Sequence, residues 1–335
     1  MINHTSRLVS AALFTALAII AFAACGGDDD SQGATETAVE QSSVDEQSSV
    51  EEQPPVDGPA IDAFPVTIES DAGTFTLEAA PQKIVSLSPS ATEMLFAIGA
   101  GDQVIAVDEF SYYPPEAPVT DLSGFEPNVE AVLGYEPDLV IISNDANDLV
   151  AGLTAAEVPV LISAAPGDIE GGYDLIAQLG IATGNVDQTA EVVATMREEM
   201  DAAFASAPGA PVRIYHELDD TYFSASSFGF IGAIYAELGA TNIADAADTD
   251  QTGFPQLTEE AVVEADPEVI VITDGVGYTA DDVAARPGWA DIAAVRNGAV
   301  VTVDTDISSR WGPRLPQFVA VVAEAMNAAL APAAG

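Results

Sequence analysis

The chain has 335 residues, about half of them hydrophobic, which suffices for two ordinary domains with a large core. It carries 54 acidic against 8 basic side chains, a formal charge of -46, so nucleic acid, heparin and anionic membrane surfaces are excluded as partners. One cysteine (Cys25), two histidines (His4 and His216) and one lysine (Lys83) rule out an internal disulfide and a Cys/His zinc cluster, and leave little material for acid–base or nucleophilic catalysis.

The N-terminus starts with Arg7 and an apolar run from Leu8 to Phe22 that is too short for a comfortable membrane span. Phe22-Ala23-Ala24-Cys25 follows, then two glycines and three aspartates. Small residues before a lone cysteine resemble the lipobox of bacterial lipoproteins. That resemblance implies a signal peptide over 1–24 and a diacylglyceryl thioether on Cys25. The anchor would hold the chain to the outer face of the cell membrane, each buried methylene contributing about 0.8 kcal/mol. Residues 25–60 are rich in Ser, Gln, Glu and Asp, with "EQSSV" written twice. They have too little apolar surface to fold and read as an acidic tether with a mean reach of roughly 30–35 Å.

The folded part begins with alternating residues around Ser70-Asp71-Ala72-Gly73, a β-hairpin over 64–80. After Pro81, Val- and Ile-rich runs alternate with helical patterns. The predicted strands are 83–88, 103–108, 138–143 and 158–163, then 212–217, 268–273 and 299–304. Their weak alternation suits parallel strands buried on both faces. Between the two sets, Val193, Met196, Met200 and Phe204 recur at helical spacing. Asn185 or Asp187 is placed to cap this helix and Pro208-Gly209 to stop it, giving a strut about 30 Å long. Two stretches share one layout: "EAVLGYEPDLVIIS" from Glu130 and "EAVVEADPEVIVIT" from Glu260, about 130 residues apart. Each is a short helix, an acidic-Pro-acidic break and a core strand. The class is α/β: two Rossmann-like lobes, 61–184 and 209–330, joined by one long α-helix over 185–208. Glu130 and Glu260 lie near helix starts, where a carboxylate gains about 0.3–1 kcal/mol from the macrodipole.

Three stretches in order carry a wider resemblance. They are "KIVSLSPSATEMLFAIGAGDQVIAVDEFSYYPPEA" from Lys83, "GFEPNVEAVLGYEPDLVIIS" from Gly124 and "RPGWADIAAVRNGAVVTVDTDISSRWGPRL" from Arg286. They resemble substrate-binding proteins of ABC importers for cobalamin and ferric siderophores, over about residues 64–328. The likeness is nearest to the cobalamin-binding members, through "FSYYPPEA" and the paired stretches. The resemblance implies a ligand cleft between the lobes, limited closure about the helix, and a monomer without enzymatic activity. It implies that Glu130 and Glu260, one per lobe, dock onto arginines of an ABC permease driven by a cytoplasmic ATPase.

Loops at the carboxyl ends of such strands line the crevice. Here they carry Ser90, Phe110, Tyr112, Phe125, Tyr222, Phe254, Asp306, Arg310 and Trp311. Aromatic walls suit a large, rigid, partly apolar ligand. Cobalamin-binding relatives often have tryptophan where Phe125 and Phe254 stand. Arg310 is the main basic candidate, with Asp306 placed to pair with it, which disfavours a triply anionic ferric catecholate. The expected ligand is a corrinoid (cobalamin) or related metal chelate, the alternative a ferric hydroxamate siderophore, and the remote alternative an enzyme on the same scaffold. No cofactor and no protein-bound metal are expected. His216 reads as a hydrogen-bonded core residue, Gly99-Ala100-Gly101 as a helix stop, and Ser88 or Ser90 as a helix cap with Glu93 completing a capping box.

Overall fold

The computed structural model describes residues 64–331. The expected signal peptide, Cys25 and the tether lie outside the described residues.

The chain enters through the hairpin β1 (Val66–Ser70) and β2 (Gly73–Leu77), paired antiparallel from Val66↔Leu77 to Ser70↔Gly73. The first lobe then runs β3 (Ile84–Leu87), α1 (Pro89–Ala97), β4 (Val104–Asp108), β5 (Val119–Leu122), α2 (Val129–Leu133), β6 (Leu139–Ile142), α3 (Leu149–Ala155), β7 (Val160–Ile162) and α4 (Ile169–Thr183). Its sheet is parallel in the order β5-β4-β3-β6-β7. The chain starts in the middle, runs to one edge and crosses over, which leaves a crevice at the carboxyl ends where the order reverses. All residues of β3 and β6 are buried, as expected for strands covered on both faces.

Helix α5 (Val186–Ala205) links this lobe to the second. There follow β8 (Arg213–Glu217), α6 (Phe230–Glu237), β9 (Thr241–Asn242), α7 (Glu259–Ala265), β10 (Val269–Thr273), α8 (Ala280–Ala284), α9 (Ala293–Arg296), β11 (Val300–Val303), α10 (Thr305–Ser309) and α11 (Leu315–Leu330). This sheet is parallel in the order β11-β10-β8-β9. All seven predicted parallel strands form, each trimmed at one or both ends. Two strands escape prediction from sequence: β5, a partly exposed edge strand, and β9, which is two residues long.

Helix α5 packs on α4 of the first lobe and α11 of the second, burying Met196, Met200 and Ala203. Arg197 grips Glu170 of α4 through two bonds of 2.7 and 2.6 Å, and its guanidinium lies 3.9 Å from the Tyr173 ring centre. At the other end Asn327 Nδ2 of α11 donates to the Ser206 carbonyl at 2.7 Å. Asn185 occupies the N-cap position but does not cap. Its amide donates instead to the carbonyl and hydroxyl of Thr183.

The acidic-Pro-acidic breaks have one structural cause. Glu136 and Asp266, each just before the proline, turn the chain with φ of 52° and 45°. The acid after each proline then pins the start of a neighbouring strand. Asp138 Oδ2 accepts the amides of Gln82 (2.9 Å) and Lys83 (3.1 Å), and Glu268 Oε2 accepts that of Arg213 (2.9 Å). Even the cations match: Lys83 pairs with Glu136 at 3.1 Å, and Arg213 with Asp266 at 3.4 Å.

Candidate ligand-binding cleft

A cavity of 1010 Å³ lies between the lobes, lined by the loops at the carboxyl ends of both sheets. On the first lobe, Ser88 follows β3 and caps α1, its hydroxyl accepting the Ala91 amide at 3.3 Å. Ser88 rather than Ser90 is therefore the cap, and Ser90 in the first turn lines the cavity with Pro89 and, one turn on, Met94. Phe110 and Phe125 meet edge to face, centres 5.5 Å apart, and form an apolar wall. Phe125 is 74% exposed, so this wall has no covering side chain.

The second lobe contributes a different surface. Asp274, at the end of β10, accepts the Thr305 amide at 2.9 Å and its hydroxyl at 2.6 Å. These bonds hold its carboxyl below the usual carboxylate range. Asp304 follows β11 and caps α10 by accepting the Ile307 amide at 3.0 Å. Asp274 and Asp304 were missed in the sequence. The signal that could have found them is their place at the carboxyl ends of two parallel strands.

Across one side of the cavity the lobes are tied by charge. Glu93 of α1 is almost fully buried and does not complete a capping box. It accepts Arg310 Nη1 at 3.0 Å, and Arg314 Nε and Nη2 at 2.8 and 2.5 Å. Arg310 also donates to the Phe110 carbonyl at 3.0 Å and pairs with Asp306 at 2.7 Å. Tyr112 of the first lobe donates to Asp306 of the second at 3.1 Å, and this bond holds the phenol above its ordinary pKa. Arg314 lies 3.9 Å from the Tyr113 ring centre. Arg310 is thus in the cleft as expected, with its charge already matched by Asp306 and Glu93.

Trp311 forms the floor. It is 3% exposed and meets Tyr173 and Phe230 edge-on at 6.0 and 6.2 Å. A Cβ on Gly172, in the first turns of α4, would fall 1.6 Å from the indole, so glycine there lets α4 seat against Trp311.

Ser90, Phe110, Tyr112, Phe125, Asp306, Arg310 and Trp311 all line the cavity; Tyr222 and Phe254 do not. After β8 the chain turns back on itself, with Leu218 N donating to Phe223 O and Leu257 N to Tyr222 O. This turn stacks Tyr222 on Trp289, centres 6.2 Å apart, in a separate 630 Å³ groove beside Glu259, Glu260 and Arg286. Phe254 is 53% exposed. It follows a loop gathered by Asp248, which accepts Ser226 Oγ, Thr252 N and Gly253 N at 2.5, 2.9 and 2.8 Å. His216 is buried away from the cavity, its Nδ1 2.6 Å from the Tyr235 hydroxyl. Burial pushes its pKa down to about 4. Among the described residues no His, Cys, Asp and Glu cluster is arranged to hold a metal ion.

Glu130 and Glu260 are exposed at the starts of α2 and α7. Behind α7, Trp289 Nε1 donates to Glu259 at 3.1 Å, and Arg286, 4.6 Å from the Trp289 ring, pairs bidentately with fully buried Glu217 at 2.7 and 2.7 Å.

Two parallel-sheet lobes closing on one large cavity, joined by a helix, define a bilobal binding protein. Residues 84–307 match the periplasmic binding protein family, and the chain belongs to it. It is 37% identical over 284 residues to a cobalamin-binding protein of Halobacterium salinarum, covering 79% of this chain and 75% of that one. It is 32% identical over 277 residues to the ABC transporter substrate-binding lipoprotein YvrC of Bacillus subtilis, covering 79% and 86%. Among solved structures, the periplasmic heme-binding protein RhuT of Roseiflexus sp. RS-1 superposes with a TM-score of 0.66 at 27% identity, covering 74% and 99%.

Proposed function

We propose that this chain is the extracytoplasmic capture component of an ABC importer and that its cargo is a corrinoid. The observation that carries the reading is the 1010 Å³ interlobe cavity, with Phe110 and Phe125 on one wall and carboxylates on the other. A corrin is a broad, rigid macrocycle with an apolar body and an amide rim, and these walls offer one surface to each. The cobalamin-binding name of the Halobacterium relative supports this cargo, and the lipoprotein name of the Bacillus relative supports delivery to a permease from a lipid anchor on Cys25. The protein binds without turnover and works as a monomer held at the outer face of the membrane.

Haem is the rival that the Roseiflexus neighbour brings forward. The cleft opposes it by charge, since anionic propionates would meet Asp274 and Asp304; with His216 buried elsewhere, the axial ligand on offer is the phenol of Tyr112, already bonded to Asp306.

Calorimetric titration of the full-length chain with cyanocobalamin, haem and a ferric hydroxamate tests the reading. One-to-one saturable binding of cyanocobalamin alone is expected. Binding of the ferric hydroxamate or haem alone would replace the cargo while keeping the importer role, and silence from all three would remove the cargo assignment.

A further inference from the structure

The cavity is chemically two-faced. The first lobe offers it rings and hydroxyls, from Phe110, Phe125 and Ser90, while the second offers three carboxylates, Asp274, Asp304 and Asp306. Among the described residues, Arg310 is the one basic side chain lining it, and its guanidinium is spent on Glu93, Asp306 and the Phe110 carbonyl. No cation is left to meet an anionic ligand. The carboxylates are preorganised by the protein: Asp274 by Thr305, Asp304 by the Ile307 amide, and Asp306 between Tyr112 and Arg310. A carboxylate so fixed cannot swing away from an incoming charge.

We infer that the cleft selects among corrinoids by net charge, favouring cationic forms over neutral ones and neutral over anionic, with Asp274 and Asp304, whose charges no cation offsets, setting the preference. The inference rests on the corrinoid reading of the cleft. In a complete cobalamin the phosphodiester of the nucleotide loop offsets the charge at cobalt. A corrinoid lacking that loop keeps a net positive charge and its full rim of amide N–H donors. Both features suit a wall on which the unpaired charges are carboxylates. The formal charge of -46 acts in the same direction at longer range, concentrating cations near the protein and repelling anions. The favoured cargo is therefore an incomplete corrinoid.

The test is competitive equilibrium dialysis of the full chain against three corrinoids at low and at near-physiological salt. The probes are cyanocobalamin (neutral), cyanoaquacobinamide (cationic) and cyanocobalamin hydrolysed at a side-chain amide to a carboxylic acid (anionic). The expected affinity order is cationic, neutral, anionic, with steps of about tenfold at low salt that shrink as salt screens the carboxylates. In the Asp274→Asn/Asp304→Asn variant, whose amide oxygens can still accept the Thr305 and Ile307 N–H groups, the steps are expected to compress. Equal affinities for the three probes, or steps indifferent to salt, would overturn charge selection while leaving the corrinoid site standing. The salt series uses the native chain, so its outcome does not depend on the variant folding. Failure of all three probes to bind would remove the corrinoid reading and this inference with it.

Discussion

Glu130 and Glu260 occupy the same position in equivalent helices of the two lobes. Each is the second helical residue, two places after a side-chain cap. Asn128 caps α2 by accepting the Ala131 amide, and Thr258 caps α7 by accepting the Ala261 amide. Both carboxylates are exposed, and neither is hydrogen-bonded or paired with a cation in the described structure. A two-subunit permease would meet one such acid on each lobe.

Charge reversal at both sites is therefore expected to separate binding from transport. In the Glu130→Arg/Glu260→Arg variant, corrinoid binding is retained and uptake through the cognate permease is lost, with each single variant intermediate. Retained uptake by the double variant would remove the docking role.

The Glu93 cluster makes a stability prediction. Truncating Glu93 to alanine strands Arg310 and Arg314 in a largely buried place without their shared partner. Breaking such a pair costs about 3–5 kcal/mol, and urea unfolding of Glu93→Ala is expected to show a loss of that order. A midpoint unchanged from the native chain would mean that the interlobe charges are solvated in solution.

His216 predicts an acid dependence. Burial lowers its pKa from 6.5 to about 4, so the unfolded chain takes up this proton first as pH falls. The neutral ring's contribution is fully present above pH 6.5 and is lost as pH drops through the folded value near 4. It amounts to about 3 kcal/mol between those limits. The native chain should lose that much more stability than a His216→Phe/Tyr235→Phe variant between neutral pH and pH 4. This variant removes both members of the hydrogen bond, leaving no orphaned hydroxyl. Parallel pH profiles for the two proteins would contradict the account.

Gly172 gives a local test of the cleft floor. Gly172→Ala places a methyl inside the Trp311 indole volume, so α4 and the indole must separate. The expected cost is about 1–3 kcal/mol, with a red shift of tryptophan emission as Trp311 gains water. Emission and stability matching the native protein would show that the floor yields freely.

Most of the architecture was legible in the sequence because parallel strands buried on both faces must be apolar runs, and β3, β6 and β10 obey that rule, while β8 departs from it with His216 and Glu217 buried on Tyr235 and Arg286. The repeated acidic-Pro-acidic break was visible as a pattern, but its work was not. Asp138 and Glu268 act on Lys83 and Arg213, more than fifty residues away, and spacing carries no trace of that pairing. The cleft was legible where a loop leaves a strand directly, as at Phe110 and Asp306. It was misread at Tyr222, where the chain doubles back after β8 and delivers the ring to Trp289. Glu93 reads as a helix-capping acid because local sequence offers it that role. Two arginines of the other lobe compete for the same carboxylate and win, since charge-assisted bonds in a buried place outweigh one backbone amide.

The central claim, that a corrinoid sits in the cleft between the lobes, is tested most directly by a crystal structure grown with cyanocobalamin, using anomalous scattering from cobalt. The account predicts one strong cobalt peak inside the cavity bounded by Phe110, Phe125, Asp274, Thr305 and Trp311. A cobalt peak elsewhere on the protein, or an empty cleft at saturating ligand, would contradict it.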